Sequence, residues 1–298
     1  MSIRLGFLGL GEAGHSIAKG LKSAGLADIT AFDIKLDKPE TAPLIRARAE
    51  DAGVLLVQGP AGVAAGSDIV IAAVTSADSL VAARSIAGHL GPRHIYVDIN
   101  STAPGTKQEA AAIVEASGAR YVDAAVMDVV PRHSHKVPML LGGKGAADFA
   151  AAMRPFGMRL EIVSEKVGPA SATKMFRSII MKGLDALLLE CLVASSRYGV
   201  DERVLLSVGE SFPGLDWTKV AHYLLGRTAV HGVRRYHEME EVAATLESMG
   251  IEPIMAEAIA HRIRWGTEQG LPQKFAGRIP ERYQDVIAAL AEAASAER

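Results

Sequence analysis

The first half of the chain alternates short apolar runs with alanine-rich stretches of helical spacing. The apolar runs lie at 3–8, 29–33, 69–74, 95–99 and 121–126, followed by two more at 137–141 and 159–163. Helical stretches between them include 79–89, 105–117 and 146–154. Strands that alternate with helices are typical of a parallel sheet covered on both faces. We therefore predict an α/β fold with a Rossmann-type, doubly wound, mainly parallel sheet.

The pattern changes after residue 163, where the strand signals end. Gly168 and Pro169 open a helix that the spacing predicts to run to about Arg197. Its apolar face consists of Phe176, Ile180, Leu184, Leu187, Cys191 and Ala194. The later helical segments are broken at Gly199, Pro213–Gly214, Gly232, Gly250 and Pro272. We therefore predict a Rossmann domain at 1–164, followed by an all-α domain at 165–298.

Composition narrows the classes of function. The 298 residues include 32 Lys and Arg against 34 Asp and Glu, which gives no basic face for nucleic acid. No apolar stretch approaches the ~20 residues of a membrane helix, and the first residues lack the pattern of a signal peptide. The lone cysteine, Cys191, is predicted to be a buried packing residue, and the nine histidines show no metal-ligand spacing. We expect a cytoplasmic protein with no nucleic-acid, membrane or metal partner.

A glycine motif follows the first predicted strand and opens the first helix. It consists of Gly9, Leu10, Gly11, Glu12, Ala13 and Gly14. In a dinucleotide-binding fold the first glycine permits the turn, the second lets the pyrophosphate approach the backbone, and the third lets helix and strand pack closely. Asp33 lies 19 residues after Gly14, where an acid accepts hydrogen bonds from the ribose hydroxyls. The motif in this context predicts a nicotinamide dinucleotide cofactor.

The residues around Asp33 bear on the choice between NAD and NADP. A carboxylate at this position repels the 2′-phosphate of NADP, and Ile34 stands where an arginine would have favoured NADP. Lys35, two residues after the acid, partly offsets that repulsion. The sequence favours NAD and leaves NADP open.

Three further segments of the chain match a family pattern. Val74 and Thr75 follow the fourth strand, and Asn100, Ser101 and Thr102 follow the fifth. The segment 168–178 contains Lys174 near the start of the long helix. Together with the glycine motif, these segments resemble the β-hydroxyacid dehydrogenase family, which includes 3-hydroxyisobutyrate and 6-phosphogluconate dehydrogenases. The stretch 231–242 resembles a variant of that family with an uncharacterised, 6-phosphogluconate-dehydrogenase-like C-terminal domain.

The resemblance implies an activity and a role for each segment. It implies hydride transfer between NAD(P) and the hydroxyl carbon of a 3-hydroxy acid or related hydroxy compound. Lys174 stands where the family keeps its catalytic lysine, Val74–Thr75 where it packs against the cofactor, and 100–102 near the nicotinamide ribose. A lysine amine desolvated in a cleft can accept the hydroxyl proton and return it in the reverse reaction. The helical domain is then expected to bind the substrate and to form a homodimer.

Two departures from the family pattern affect the expected substrate site. Ser178 replaces the asparagine that usually follows the lysine by four residues, and it is the candidate to orient the substrate hydroxyl. The segment 123–129 lacks the Ser-Gly-Gly amides that hold the substrate carboxylate in the family. Substrate-binding candidates are therefore Met127, Asp128, Arg132, His133 and, from the helical domain, Arg234. A solvated loop at 131–136 and a salt-bridged helix face around Arg234 remain the alternatives.

Two other functions stay open. Imine reductases share this architecture and reduce a C=N bond, but they usually replace the lysine found here at position 174. A catalytically silent dinucleotide sensor would bind the cofactor without turnover. Whether decarboxylation follows oxidation is not decided by the sequence.

Overall fold

The computed structural model describes residues 3–296, and the chain forms two compact units with the boundary between Lys174 and Met175. Unit 1 contains eight strands: β1 Arg4–Leu8, β2 Asp28–Phe32, β3 Leu55–Leu56, β4 Ile69–Ala72, β5 Ile95–Asp98, β6 Arg120–Val126, β7 Met139–Gly142 and β8 Leu160–Ser164. Its helices are α1 Glu12–Ser23, α2 Ala42–Ala52, α3 Gly59–Gly66, α4 Ser79–Ala87, α5 Pro104–Glu115, α6 Val130–His133 and α7 Ala146–Met153.

The eight strands form one sheet in the order β3-β2-β1-β4-β5-β6-β7-β8. All neighbours are parallel except β6 and β7, which run antiparallel. Chain connections diverge on either side of β1, so the crevice outside the carboxyl ends of β1 and β4 is where such sheets bind ligands. The predicted fold class, a doubly wound and mainly parallel sheet followed by helices, is confirmed.

Both faces of the central strands are buried. Leu5 and Phe7 of β1 pack in one hydrophobic cluster, whereas Leu8 packs in a second one with Val70 and Ala72 of β4. Burial on both faces explains why these strands read as continuous apolar runs rather than as alternating ones. All seven predicted strands are present with ends within two residues of those predicted. The strand β3 was not predicted, because two residues are too few to show the alternation of a strand.

Within residues 175–296, the regular structure of unit 2 consists of helices and includes no strand. The helix α8 Pro169–Ser196 crosses the boundary between the units, and it is followed by α9 Asp201–Ser211, α10 Trp217–Ser248, α11 Ile254–Glu268, α12 Leu271–Phe275 and α13 Tyr283–Ala296. The core of this unit includes Leu189 and Leu192 of α8 and Leu225 of α10. No helix within residues 3–296 is long and apolar enough to cross a membrane.

The helix break predicted at Gly232 falls at a kink in α10. Gly232 lies inside α10, where a Cβ would stand 2.3 Å from Thr267 Oγ1. The glycine therefore allows close approach of α11 at this kink. One residue earlier, His231 departs from helical geometry with φ −110° and ψ 16°, so α10 is kinked but continuous.

The long helix is confirmed at Pro169–Ser196, but the prediction that Cys191 is buried is wrong. Of the predicted apolar face of α8, Ile180 is 67% and Leu187 62% exposed, whereas Leu184 packs against the core. The buried face of α8 instead includes Lys182 and Asp185. Lys182 pairs with Glu238, and Asp185 pairs with Arg235. Because of these ion pairs, two charged side chains are accommodated on the buried face of α8.

Candidate active site

The glycine motif forms the turn between β1 and α1. Gly9 has a φ of +91°, and a Cβ there would stand 2.4 Å from the Ala73 carbonyl oxygen. A Cβ at Gly14 would stand 2.4 Å from the Gly9 carbonyl oxygen. At Gly11, by contrast, no atom of the described chain other than the adjoining residues lies within 4 Å of a Cβ position. The outer glycines are needed by the fold, whereas Gly11 leaves open space at the start of α1, where a pyrophosphate fits.

Asp33 follows β2 and is only 7% exposed. Its Oδ2 accepts a hydrogen bond from the Leu10 amide at 2.8 Å, and its Oδ1 accepts one from the Lys35 amide at 2.9 Å. Both oxygens are thereby oriented, and each keeps a lone pair for a hydroxyl donor. The residues present therefore fit the adenosine half of a dinucleotide.

A cation next to this turn was missed by the sequence analysis. Arg48 of α2 donates from Nη1 to the Leu10 carbonyl oxygen at 3.3 Å. It lies 38 residues from Leu10 along the chain, and its place in α2 gave no sequence signal. Arg48 adds a positive charge beside the loop that holds Asp33.

Two loops at the carboxyl ends of β4 and β5 are joined through Asn100. Its side-chain oxygen accepts a hydrogen bond from the Val74 backbone amide at 2.8 Å. Its backbone amide donates a hydrogen bond to Asp98 Oδ1 at 2.9 Å. Thr75 donates from its hydroxyl to Asp78 at 2.5 Å, within the first of these loops. The predicted cofactor residues on the two loops therefore lie side by side.

Lys174 contacts the second of these loops. Its Nζ donates a hydrogen bond to Ser101 Oγ at 2.7 Å, which joins residues that are 73 positions apart. Lys174 is half-buried, and it is the last residue of unit 1. The structure thus brings together Lys174 and the loop at 100–102, two features that the sequence analysis had identified separately.

A buried ionic triad, which no sequence pattern indicated, lies behind the same loop. Lys107 Nζ is 2.9 Å from Asp98 Oδ1 and 3.8 Å from Asp123 Oδ1, and all three side chains are almost completely buried. Asp98 and Asp123 are register partners in β5 and β6. An acid within each of two otherwise apolar neighbouring strands was the available signal, but the lysine partner lies on the helix α5.

Tyr121 completes the surroundings of Asp98. Burial, together with the nearby Asp98 carboxylate, raises the pKa of the Tyr121 phenol well above its usual range. The phenol therefore stays protonated, and it donates to Asp98 Oδ2 at 2.7 Å. Ser79 donates to the same oxygen at 3.0 Å.

The predicted substrate segment at 127–136 is folded onto unit 1. The Met127 amide donates to the Pro138 carbonyl at 2.9 Å, and His133 Nε2 lies 2.9 Å from Asp128 Oδ2. The Val129 amide, and secondly His133, lower the pKa of Asp128. Arg132 is exposed on α6. His133 ends α6, and a 3-10 turn, Ser134–Lys136, follows it, so the segment that was predicted as a loop is largely helical.

Two site predictions fall in unit 2. Ser178 is half-buried on α8, four residues after Lys174. Arg234 is mostly exposed, and its Nη1 lies 3.1 Å from Glu238 Oε1 on the same helix. Glu238 Oε2 also lies 2.7 Å from Lys182 Nζ, so Arg234 belongs to an ion-pair cluster between α8 and α10.

Comparison with known proteins places the chain in a family. Residues 4–153, half of the chain, match the model described as the NAD binding domain of 6-phosphogluconate dehydrogenase, and residues 195–266 match a domain of unknown function. A conserved protein of unknown function, whose structure is reported as similar to 3-hydroxyacid dehydrogenases, is 34% identical with a TM-score of 0.76. That match covers 88% of this chain and 96% of the other. The chain belongs to the β-hydroxyacid dehydrogenase family.

Two further proteins extend the β-hydroxyacid dehydrogenase relationship. A conserved hypothetical protein from Sinorhizobium meliloti 1021 is 39% identical with a TM-score of 0.85, over 98% of this chain and 97% of that one. The mitochondrial 3-hydroxyisobutyrate dehydrogenase of Homo sapiens is 26% identical over 221 residues, which are 72% of this chain and 63% of that enzyme. Family membership confirms the predicted oxidoreductase class and the nicotinamide cofactor at the level of the family.

Proposed function

We propose that the protein is a dehydrogenase that transfers a hydride between a nicotinamide cofactor and the hydroxyl carbon of a 3-hydroxy acid or related hydroxy compound. The hydrogen bond from Lys174 Nζ to Ser101 Oγ carries the proposal. It holds an amine beside the loop that, by resemblance, borders the nicotinamide ribose. A proton-transfer group must lie within hydrogen-bond reach of the reacting hydroxyl, and we propose that Lys174 has this reach when the substrate is bound.

In this proposal, different residues of the chain bind the cofactor, orient the substrate and transfer the proton. The turn at 9–14 would hold the pyrophosphate, and Asp33 would hold the adenosine ribose. The bound cofactor supplies the hydride acceptor, or the donor in reduction. Lys174 takes the hydroxyl proton at Nζ during oxidation and returns it during reduction. Ser178, one helical turn later in α8, is proposed to orient the substrate hydroxyl.

We favour NAD as the cofactor. The Asp33 carboxylate is buried and held by two backbone amides, so it cannot easily turn away from a 2′-phosphate. The positive charges of Lys35 and Arg48 lie nearby and would attract the 2′-phosphate of NADP. Comparing the KM for NAD with that for NADP tests this preference directly.

The substrate carboxylate is proposed to be held differently from the family pattern. Met127 and Asp128 stand where the family has small residues with free amides, and Asp128 is engaged by His133. Arg132, exposed beside them, is the candidate for an anionic group. Arg132→Ala should therefore raise the KM for an acidic substrate more than it lowers kcat.

We also propose that the protein forms a homodimer. The outward stripe of α8, with Ile180, Leu187 and Cys191, is apolar and exposed in the single chain. Burial of such a stripe against a second copy would remove it from water. Light scattering should give twice the chain mass, and Leu187→Glu should shift the mass toward one chain.

The cytoplasmic location and the functional boundary at residue 164 stay predictions.

The proposed activity is tested by following absorbance at 340 nm with NAD or NADP across 3-hydroxy acids, aldonates and aryl-substituted hydroxy acids. We expect turnover with at least one acid, and its loss in Lys174→Ala but not in the matched control Lys144→Ala, an exposed lysine of the same unit. Turnover that survives in Lys174→Ala would contradict the assigned role. Tight NADH binding without turnover would support a sensor, and turnover only with imines would support C=N reduction.

A further inference from the structure

The buried triad of Asp98, Lys107 and Asp123 carries two carboxylates against one ammonium. Burying charge is costly unless each group is paired and hydrogen-bonded, and apolar residues often pack as stably. Hydrogen bonds to the two acids include those from the loop at 98–102 and from the start of α8, whereas Asp123 Oδ1 accepts none from the described residues. The position of these partners suggests what the triad does.

Asp123 holds the entry to α8. Its Oδ2 accepts from the Gly168 amide at 3.1 Å, from the Ser171 amide at 3.1 Å and from the Ser171 hydroxyl at 3.0 Å. Gly168 has a φ of +116°, so the chain turns sharply just before the helix begins at Pro169. Lys174 follows Ser171 by three residues, about one turn. The carboxylate therefore sets the position of the helical turn that precedes the lysine.

Asp98 holds the loop that contains the acceptor of Lys174. Its Oδ1 accepts from the Asn100 amide at 2.9 Å, one residue before Ser101. Lys107 Nζ donates to the Asp98 carbonyl oxygen at 2.7 Å and lies between the two carboxylates. The Lys107 ammonium thus connects the end of β5, which leads to Ser101, with Asp123 of β6, which binds the start of α8.

We propose that Asp123 is a positioning residue for the reaction. By holding the first turn of α8, it keeps Lys174 Nζ in hydrogen-bond contact with Ser101 Oγ. Lys107 and Asp98 hold the loop at 98–102 that carries Ser101. The proposal rests on the proposed role of Lys174. Because misplacement by about 1 Å can cost on the order of a hundredfold in rate, a cap that sets this turn has a direct effect on proton transfer.

A purely structural role for Asp123 makes a different prediction. It would lower stability when removed, but leave the folded enzyme with normal kcat. The conservative variant Asp123→Asn separates the two roles, because its side-chain amide oxygen can still accept from the Gly168 and Ser171 amides. The experiment therefore compares Asp123→Ala, Asp123→Asn and the control Asp148→Ala, which removes an exposed acid paired with Arg120.

We expect Asp123→Ala to lower kcat at least tenfold, with the Kd for NADH, read from its fluorescence, within twofold of the original protein. Asp123→Asn should recover most of the lost kcat, and Asp148→Ala should leave kcat unchanged. A kcat within twofold of the original in Asp123→Ala, or equal losses in Asp123→Ala and Asp123→Asn, would overturn the proposal. If Asp123→Ala does not fold, Ser171→Ala removes one of the three bonds, and we then expect a loss of roughly threefold.

A second readout does not depend on turnover. Limited acetylation followed by mass spectrometry gives the reaction rate of the Lys174 amine relative to the exposed Lys144. We expect this ratio to change at least threefold in Asp123→Ala and to return in Asp123→Asn. A changed ratio in a protein without turnover would remove the proposed function but keep the positioning role. An unchanged ratio with normal turnover would remove the positioning role alone.

Discussion

Both compact units bury ion pairs, yet the pairs are built differently. In unit 1, Asp98 and Asp123 accept hydrogen bonds from backbone amides of the loop at 98–102 and of the first turn of α8. In unit 2, Lys182 pairs with Glu238 and Asp185 pairs with Arg235, side chain to side chain, between α8 and α10. The first cluster sets backbone positions next to the proposed site, whereas the second fastens two helices.

The electrostatics of the two clusters differ as well. Burial lowers the pKa of Lys182, and the nearby Glu238 opposes that shift. Burial likewise lowers the pKa of Arg235. Apolar residues of similar size often replace buried side-chain ion pairs of this kind with little loss of stability, so we expect the same of this cluster. The triad in unit 1 has no such substitute, because its backbone donors would be left without acceptors.

The largest effect on stability is expected at Lys107. Lys107→Met leaves two carboxylates buried without their cation, which should lower the free energy of unfolding by about 3–5 kcal/mol. Urea denaturation measures this, with the exposed Lys144→Met as the matched control. A loss below about 1 kcal/mol would show that the triad is not a buried ionic unit.

The cluster in unit 2 should tolerate a paired replacement. Asp185→Leu alone leaves Arg235 buried without its partner and should cost about 3 kcal/mol. Combined with Arg235→Met, most of that loss should return, and the Kd for NADH should stay the same in both proteins. A double variant as unstable as the single one would remove the distinction between the two clusters.

A packing contact within unit 1 gives a smaller effect. A Cβ at Gly20 would stand 2.2 Å from His135 Nδ1 and from Ser134 Oγ, so α1 lies tightly against the 3-10 turn. Gly20→Ala should therefore cost roughly 1–3 kcal/mol. Gly105→Ala is the control, since beyond the neighbouring backbone of its own helix no atom of residues 3–296 lies within 4 Å of its Cβ position. That helical substitution should be neutral or slightly stabilising, by about 0.5–1 kcal/mol.

The smallest effect concerns pH. Burial, and secondly Lys136, lower the pKa of His135, so protons bind the unfolded chain more tightly than the folded one. Stability is then fully present above pH ~6.5 and falls as the pH drops below it, by at most about 1.4 kcal/mol per unit for this group. The fall in Tm between pH 7 and 5 should be smaller in His135→Leu than in the original protein. His231 shifts in the same direction and should account for part of the remainder. Equal slopes for the original protein and His135→Leu would exclude this contribution.

The sequence predicts those features that depend on local patterns. The strand runs, the glycine motif and the helix carrying Lys174 all rest on periods or spacings within short stretches of the chain. Arg48 and Lys107 contact residues that pair with them only after folding, so no local pattern marked them. Cys191 shows a related gap, because a periodic apolar stripe does not reveal which side of a helix meets the core.

The role of Lys174 is tested most directly by chemical rescue. With the best substrate of the panel, Lys174→Ala should lower kcat by roughly a hundredfold to ten-thousandfold, while the Kd for NADH stays within twofold. Added primary amines such as methylamine should restore part of the rate in proportion to the concentration of free base. A Lys174→Ala protein with near-normal kcat, or one with lost activity that no amine restores and with weakened NADH binding, would contradict the assignment of Lys174 as the proton-transfer residue.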